Sequence, residues 1–156
     1  MPKEIERKFL VVGDDWRTLG KSTKYRQGYL STVKERTVRI RTIDKEGFLT
    51  VKGITTGSSR LEFEYEIPFG DAKIMIDELC ERPLIEKNRT KIKYDQFVWE
   101  IDEFEGVNKG LTIAEVELEH ENDKIPIPDW IGKEVTDDPK YFNANLIKYP
   151  YSEWKE

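Results

Sequence analysis

The opening segment EIERKFL places Glu4, Glu6 and Lys8 at every second position. On an extended strand, whose side chains alternate between two faces, all three point one way while Ile5 and Phe9 point the other. The pattern recurs along the chain. VRIR carries Arg39 and Arg41, LEFEYEI carries Glu62, Glu64 and Glu66, and EKNRTK carries Lys87, Arg89 and Lys91. WEID adds Glu100 and Asp102, and AEVEL adds Glu115 and Glu117. Each strand therefore has one charged row, nearly pure in sign, and one apolar row. Whatever covers the apolar rows decides where the charges go.

Alternation or β-rich composition predicts about eight strands, over 3–12, 23–32, 36–43, 47–52, 59–68, 84–94, 97–104 and 111–120. Asp44 to Gly47, Thr55 to Ser59 and Val107 to Gly110 read as turns short enough for antiparallel neighbours. The main helix is expected from Asp71, as N-cap, through Ile74, Met75, Ile76 and Leu79, ending near Arg82 because Pro83 follows. A shorter helical turn is expected from Asp15 to Leu19. The tail, rich in proline and aromatic residues with a short helical pattern, reads as a plug or buttress packed on the sheet.

The 156 residues suit one domain spanning 1–156. Charged residues make up 37% of the chain, yet the net charge is only −5. That balance excludes a nucleic-acid footprint, which calls for a basic domain. Any anion has to be met by a concentrated local site. Cys80, in the expected helix, is the only cysteine and suits a reducing compartment. With no targeting pattern and no apolar run approaching membrane length, a cytoplasmic protein with no membrane partner is expected.

Two architectures fit these rows: an open sheet with its charges in water, or a closed barrel with its charges inside. Val38 with Ile40, Leu61 with Phe63 and Tyr65, and Trp99 with Ile101 all need cover. Periodicity alone favours the open sheet, because a buried ion costs several kcal/mol even after relaxation. A closed lumen would have to hold water, cations and an anionic ligand. Lysine and arginine rows suit phosphate oxygens, and carboxylate rows suit Mg²⁺ or Mn²⁺. On an open sheet the same rows would form only cross-strand ion pairs worth ~0.2–1 kcal/mol each.

The order of motifs resembles the CYTH superfamily, the triphosphate tunnel metalloenzymes, whose mark is an amino-terminal Glu-x-Glu-x-Lys, here Glu4, Glu6 and Lys8. The likeness continues through YRQGYL, TVRIR, GFLTVKG, SRLEFEYEIP, IEKNR, WEIDEF, AEVELE and PDWIGKEVTDDPKYFNANL. Lys140 departs mildly, standing where relatives often have arginine. The resemblance implies a single CYTH domain of mainly β structure. It would form an eight-stranded antiparallel closed barrel, a triphosphate tunnel, with a few helices packed outside.

The resemblance also implies phosphate binding by Lys8, Arg39, Arg41, Lys52, Lys87 and Arg89, and Mg²⁺ or Mn²⁺ on Glu4, Glu6, Glu115 and Glu117. Glu62, Glu64 and Asp102 would support the metal set, and Lys8 with Tyr29 would form a catalytic pair. Tyr29 also reads as an aromatic strand residue packed in the wall. His120, on the face opposite Glu115 and Glu117, reads as structural or exposed. The implied reaction is hydrolysis of inorganic tripolyphosphate. A class IV adenylate cyclase, a thiamine triphosphatase and a non-enzymatic polyphosphate-binding module stand as alternatives. The expected partner is a small-molecule triphosphate, with a homodimer left open.

Overall fold

Two hairpins show how local chemistry sets the register. The turns from Ile43 to Glu46 and from Tyr94 to Phe97 have two residues each, and Asp44 and Asp95 take positive φ there, 54° and 58°. Aspartate is among the few residues that enter the left-handed region readily.

The computed structural model describes residues 3–154. Nine strands run in chain order: β1 (Lys3–Val11), β2 (Ser22–Ser31), β3 (Arg36–Ile43), β4 (Glu46–Gly53), β5 (Ser59–Ile67), β6 (Ile85–Tyr94), β7 (Phe97–Phe104), β8 (Thr112–Glu117) and β9 (Ile131–Glu134). The helices are α1 (Phe69–Glu78) and α2 (Asn143–Lys148), with a short helical turn at Asp15–Thr18. The sheet order is β5-β4-β3-β2-β6-β7-β8-β1-β9, and β1 also pairs with β5. That last pairing closes the first eight strands into an antiparallel barrel. β1 is the seam: one edge pairs with β8 over Glu6–Leu10. Its other edge pairs with β5 over Lys3–Ile5 and then with β9 around Phe9 and Val11.

Covers on the outer surface determine which face looks inward. α1 lies over β2, β3 and β4. Its Ala72 and Ile76 pack with Ile40 and Cys80, against Leu49 and Ile67. A second outer cluster joins Ile5, Phe9, Trp99, Ile101 and Val116 to Trp16, Leu118 and Trp130. Within it Trp99 stands edge-on to both Phe9 (5.4 Å) and Trp130 (5.9 Å), an arrangement favoured by the ring quadrupoles. With two apolar faces so covered, the charged rows turn inward, as the barrel reading required. α2 behaves differently from α1. Its Leu146 and Ile147 pack against Tyr29, Ile85, Phe104 and Ile113, residues of the inner face, so the tail is a plug.

Several expectations need correction. α1 begins at Phe69 behind Pro68 and ends at Glu78, so Asp71 lies in its first turn and Cys80 follows the helix. The ninth strand, IGKE, adds to the eight expected, and its four residues carry no alternation to mark it. β8 stops at Glu117, which leaves His120 in an exposed turn where its N–H, like that of Glu119, donates to Asp123 Oδ2. Leu61, Phe63 and Tyr65 are left uncovered on the outside of β5. Lys140 sits over the Tyr141 and Trp154 rings. Among the described residues no helix is long and apolar enough to cross a membrane.

Gly28, in YRQGYL, permits the close approach of the chain after α1. A Cβ there would lie 2.6 Å from Cys80 Cβ and 3.0 Å from a Leu84 methyl. Gly28→Ala is expected to destabilise the fold by about 1–3 kcal/mol through overpacking. Equilibrium urea denaturation reads this directly, and an unchanged midpoint would mean that the segment around Cys80 moves aside freely.

Candidate active site: a charged tunnel

The alternation that sends Ile40, Trp99 and Val116 outward sends Arg39, Arg41, Asp102 and Glu115 inward. A cavity of about 360 Å³ opens inside the barrel, lined by Glu6, Lys8, Tyr29, Arg39, Lys52, Lys87, Arg89 and Glu115 among others. Glu4 lines an adjoining recess with Glu6, Lys8 and Arg60. Asp102 is fully buried beneath Lys87 and Arg89, and Arg41 is also buried. Glu62 is half-buried, and Glu64 and Glu117 are exposed. The cavity and its recess thus bring together most of the sequence-predicted residues but not Arg41, Glu62, Glu64, Asp102 or Glu117, and Lys8 and Tyr29 each have their own partner. Lys8 donates to Glu115 (2.7 Å), and the Tyr29 hydroxyl oxygen accepts from Gln27 (3.3 Å).

Some of these charges are well compensated. Arg89 grips Asp102 in bidentate fashion, at 2.7 and 2.9 Å, while Lys87 Nζ lies 2.8 Å from the same carboxylate. Burial alone would raise Asp102, but Arg89 and Lys87 overcome it and hold the carboxyl below its ordinary range. Burial would likewise raise Glu115, yet Lys8, Arg89 and Lys87 keep it well below that range. For Lys87, burial prevails over the pull of Asp102 and pushes the ammonium down to about 7.

Other charges are opposed by their surroundings. Burial, reinforced by Arg39 and Arg89, pushes Arg41 down to about 10. Its sole hydrogen-bond partner among the described residues is Glu64, and its Nε, like that of Arg39, is buried without an acceptor. Arg41 and Arg89 also share the face of Tyr25, at 5.1 and 4.8 Å. At the acidic side, burial and then Glu115 raise Glu6 to about 7. Burial, Glu4, Glu62 and Glu100 raise Glu117. The lumen therefore has both a surplus of cations and a surplus of carboxylates, in different places.

Among the described residues, no three acidic, histidine or cysteine side chains converge as a ready metal cage. Glu4 faces Lys52 and Arg60, Glu115 faces Lys8, and Glu62 faces Lys52. The donor set nonetheless fits a hard divalent cation. It is made of carboxylate oxygens, and the upward shifts of Glu6 and Glu117 show that their neighbours alone stabilise the ionised forms too little.

Three residues at or behind the lumen were not assigned from sequence. Arg60 extends the Glu62 and Glu64 row by one step, so a longer reading of that row finds it. Gln27 and Asn143 carry no charge and no periodic signal. Gln27 is fully buried, and Asn143 Oδ1 accepts from Lys87 Nζ at 3.0 Å.

Comparison with known proteins agrees with this geometry. A model of the CYTH domain matches residues 2–148. An inorganic triphosphatase of Acetivibrio thermocellus is 54% identical over 156 residues, all of both chains. One of Nitrosomonas europaea is 37% identical over 148 residues, covering 92% of this chain and 95% of the relative. A crystal structure of an inorganic triphosphatase superposes with a TM-score of 0.66 at 32% identity, covering 92% of this chain and 96% of the other.

The position of Glu6 makes stability depend on pH. Its folded value of about 7 exceeds the ordinary 4.5, so the fold favours the protonated carboxyl. This group's contribution is full below about 4.5 and is lost as pH rises towards 7. In chelator, the melting temperature of wild type relative to Glu6→Gln is expected to fall across that interval, and Mg²⁺ should reverse the fall at neutral pH. Parallel profiles for the two proteins would show that Glu6 titrates normally.

Proposed function

The chain belongs to the CYTH domain family, and we propose that it hydrolyses inorganic tripolyphosphate to pyrophosphate and phosphate with the help of Mg²⁺ or Mn²⁺. The observation that carries this reading is the double frustration of the lumen. Burial and then fellow cations disfavour the charged form of Arg41, and burial and then fellow carboxylates that of Glu6 and Glu117. One ligand relieves both: a polyphosphate chelated to a divalent cation. The similarity to two inorganic triphosphatases over nearly the whole chain supports the same choice.

In this reading Arg39, Arg41, Lys52, Lys87 and Arg89 bind phosphoryl oxygens, and Lys8 joins them from the seam strand. Guanidinium groups suit this role because their fork matches phosphate oxygens. Glu4, Glu6, Glu115 and Glu117 hold the cation, with Glu62, Glu64 and Asp102 orienting the basic groups. The cation supplies charge neutralisation on the phosphoryl oxygens. The protein's share of catalysis is then positioning and fixed charge, since phosphoryl transfer to water demands little covalent chemistry from side chains. Cys80, free and buried, suits a reducing cytoplasm.

Phosphate release from tripolyphosphate, ATP and thiamine triphosphate with each metal tests the reading. Tripolyphosphate should give the highest kcat/KM, chelation should abolish turnover, and Ca²⁺ should substitute poorly because it prefers more ligands at longer distances. Cyclic AMP as the main product from ATP, or turnover that survives exhaustive chelation, would overturn it.

The two arginines should behave differently on truncation. Arg41→Ala is expected to weaken tripolyphosphate binding by about 1.5–3 kcal/mol, the worth of a charged hydrogen bond, without lowering the melting temperature. Arg89→Ala breaks the buried pair with Asp102 and should cost about 3–5 kcal/mol of stability. Calorimetric titration and thermal melts separate the two effects. Wild-type affinity in Arg41→Ala would remove that side chain from the binding site.

A further inference from the structure

Between the charged wall and the plug lies a short chain of uncharged hydrogen bonds whose directions are fixed. As the ammonium, the form that the Asp102 carboxylate 2.8 Å away favours, Lys87 Nζ offers only N–H groups to its neighbours, and Asn143 turns its Oδ1 towards it (3.0 Å). The same Oδ1 accepts from Gln27 Nε2 at 3.3 Å, so Gln27 must present its amide nitrogen on that side. The second hydrogen of that nitrogen points to the Tyr29 hydroxyl oxygen, also at 3.3 Å. Tyr29 thus accepts from within the wall, and its own O–H is left to donate elsewhere. Its ring lines the cavity.

The alternative orientations are blocked. Turning Gln27 over would set its Oε1 against Asn143 Oδ1, and turning Asn143 over as well would set an NH₂ group against Lys87. The orientation that remains leaves Gln27 Oε1 buried with no hydrogen-bond partner among the described residues. Buried acceptors are rarely left unpaired, so the fold tolerates a local defect in order to keep the Gln27 nitrogen facing Tyr29. Asn143 comes from the first residue of α2, so the plug itself sets the polarity of the chain.

We propose that Gln27 and Asn143 are positioning residues which, anchored by Lys87, hold the Tyr29 hydroxyl as a hydrogen-bond donor to a phosphoryl oxygen of the substrate. Tyr29 is then a donor that stabilises charge on the phosphate, and not a base that takes a proton from water. The inference rests on the triphosphate reading of the tunnel and adds to it the direction of one proton and the two residues that set it.

A double-mutant cycle in tripolyphosphate hydrolysis tests it. Tyr29→Phe should lower kcat by about tenfold, the loss of one directed donor. Gln27→Leu should lower kcat several-fold with little change in KM, and Gln27→Glu, whose carboxylate accepts from Tyr29 and reverses its proton, should lower kcat further. In the Tyr29→Phe background neither Gln27 change should reduce kcat again, because the proton they orient is gone. Equal losses in both backgrounds, or wild-type kcat in Tyr29→Phe, would overturn the proposal. If the fully buried Gln27 variants do not fold, Asn143→Leu at its less buried position gives the same cycle, and Asn143→Asp, which keeps the accepting oxygen, should recover part of the lost kcat. Binding of tripolyphosphate in chelator, measured by calorimetry, together with hydrolysis measured in Mg²⁺, separates the two levels. A wild-type chain that binds and hydrolyses while the cycle is additive overturns this inference alone, whereas one that neither binds nor hydrolyses overturns the triphosphate reading and this inference with it.

Discussion

Charge held away from water is the constraint on which the rest of this structure depends. Asp102 and Lys87 are fully buried, and Lys8, Arg41, Arg89 and Glu115 nearly so. Several kcal/mol of desolvation per ion has to be offset by close partners. The barrel provides them by register. Pairing Lys8 with Glu115 across β1 and β8, and Arg89 with Asp102 across β6 and β7, sets opposite charges on neighbouring strands of the inner face. The same register sends Phe9, Trp99, Ile101 and Val116 to the outer face, where they pack as one cluster. A slip of one residue would exchange the two sets, so core packing and charge pairing enforce the same alignment.

Compensation is uneven, and the unevenness distinguishes scaffold from site. The Arg89–Asp102 and Lys8–Glu115 pairs are satisfied internally and hold the wall in shape. Arg41, Glu6 and Glu117 are not, and each is displaced in the direction that disfavours its charged form. Groups of this second kind gain most from a ligand. Occupancy by a metal-chelated polyphosphate would therefore stabilise the fold as well as fill the cavity, because binding to the native state alone shifts the folding equilibrium.

Much of the fold was legible because alternation is a strong signal. Most strand limits agree with the structure within one or two residues, and the charged rows of the strands alternate with the apolar rows as read. What alternation could not decide was which face looks inward. A charged row usually faces solvent, and only the covers reverse that: α1 over Ile40, and the segment carrying Leu118 and Trp130 over Trp99. The latter has neither helical nor strand periodicity, so its role is visible only in three dimensions. The same applies to Gln27 and Asn143, 116 residues apart in sequence, whose function depends on the direction of a hydrogen bond.

The two ends of the chain meet at the site, and the seam strand explains why. β1 gives up β5 after Ile5 and takes β9 from Phe9, so Glu6 to Lys8 lie where its outer edge changes partner. There the backbone bonds are irregular. Glu6 N–H donates to Ser58, Lys8 N–H donates to the Thr136 hydroxyl, and Lys8 carbonyl accepts from Val135 N–H. The tail that supplies Val135 and Thr136 then continues through Phe142 to Asn143 and delivers α2 to the inner wall. An amino-terminal Glu-x-Glu-x-Lys thus needs the carboxy-terminal segment twice, once to complete the edge of its strand and once to fix the groups opposite it. A change in the tail can reach the lumen without touching a charged residue, because Asn143 and Thr136 transmit it through single hydrogen bonds to Lys87 and Lys8.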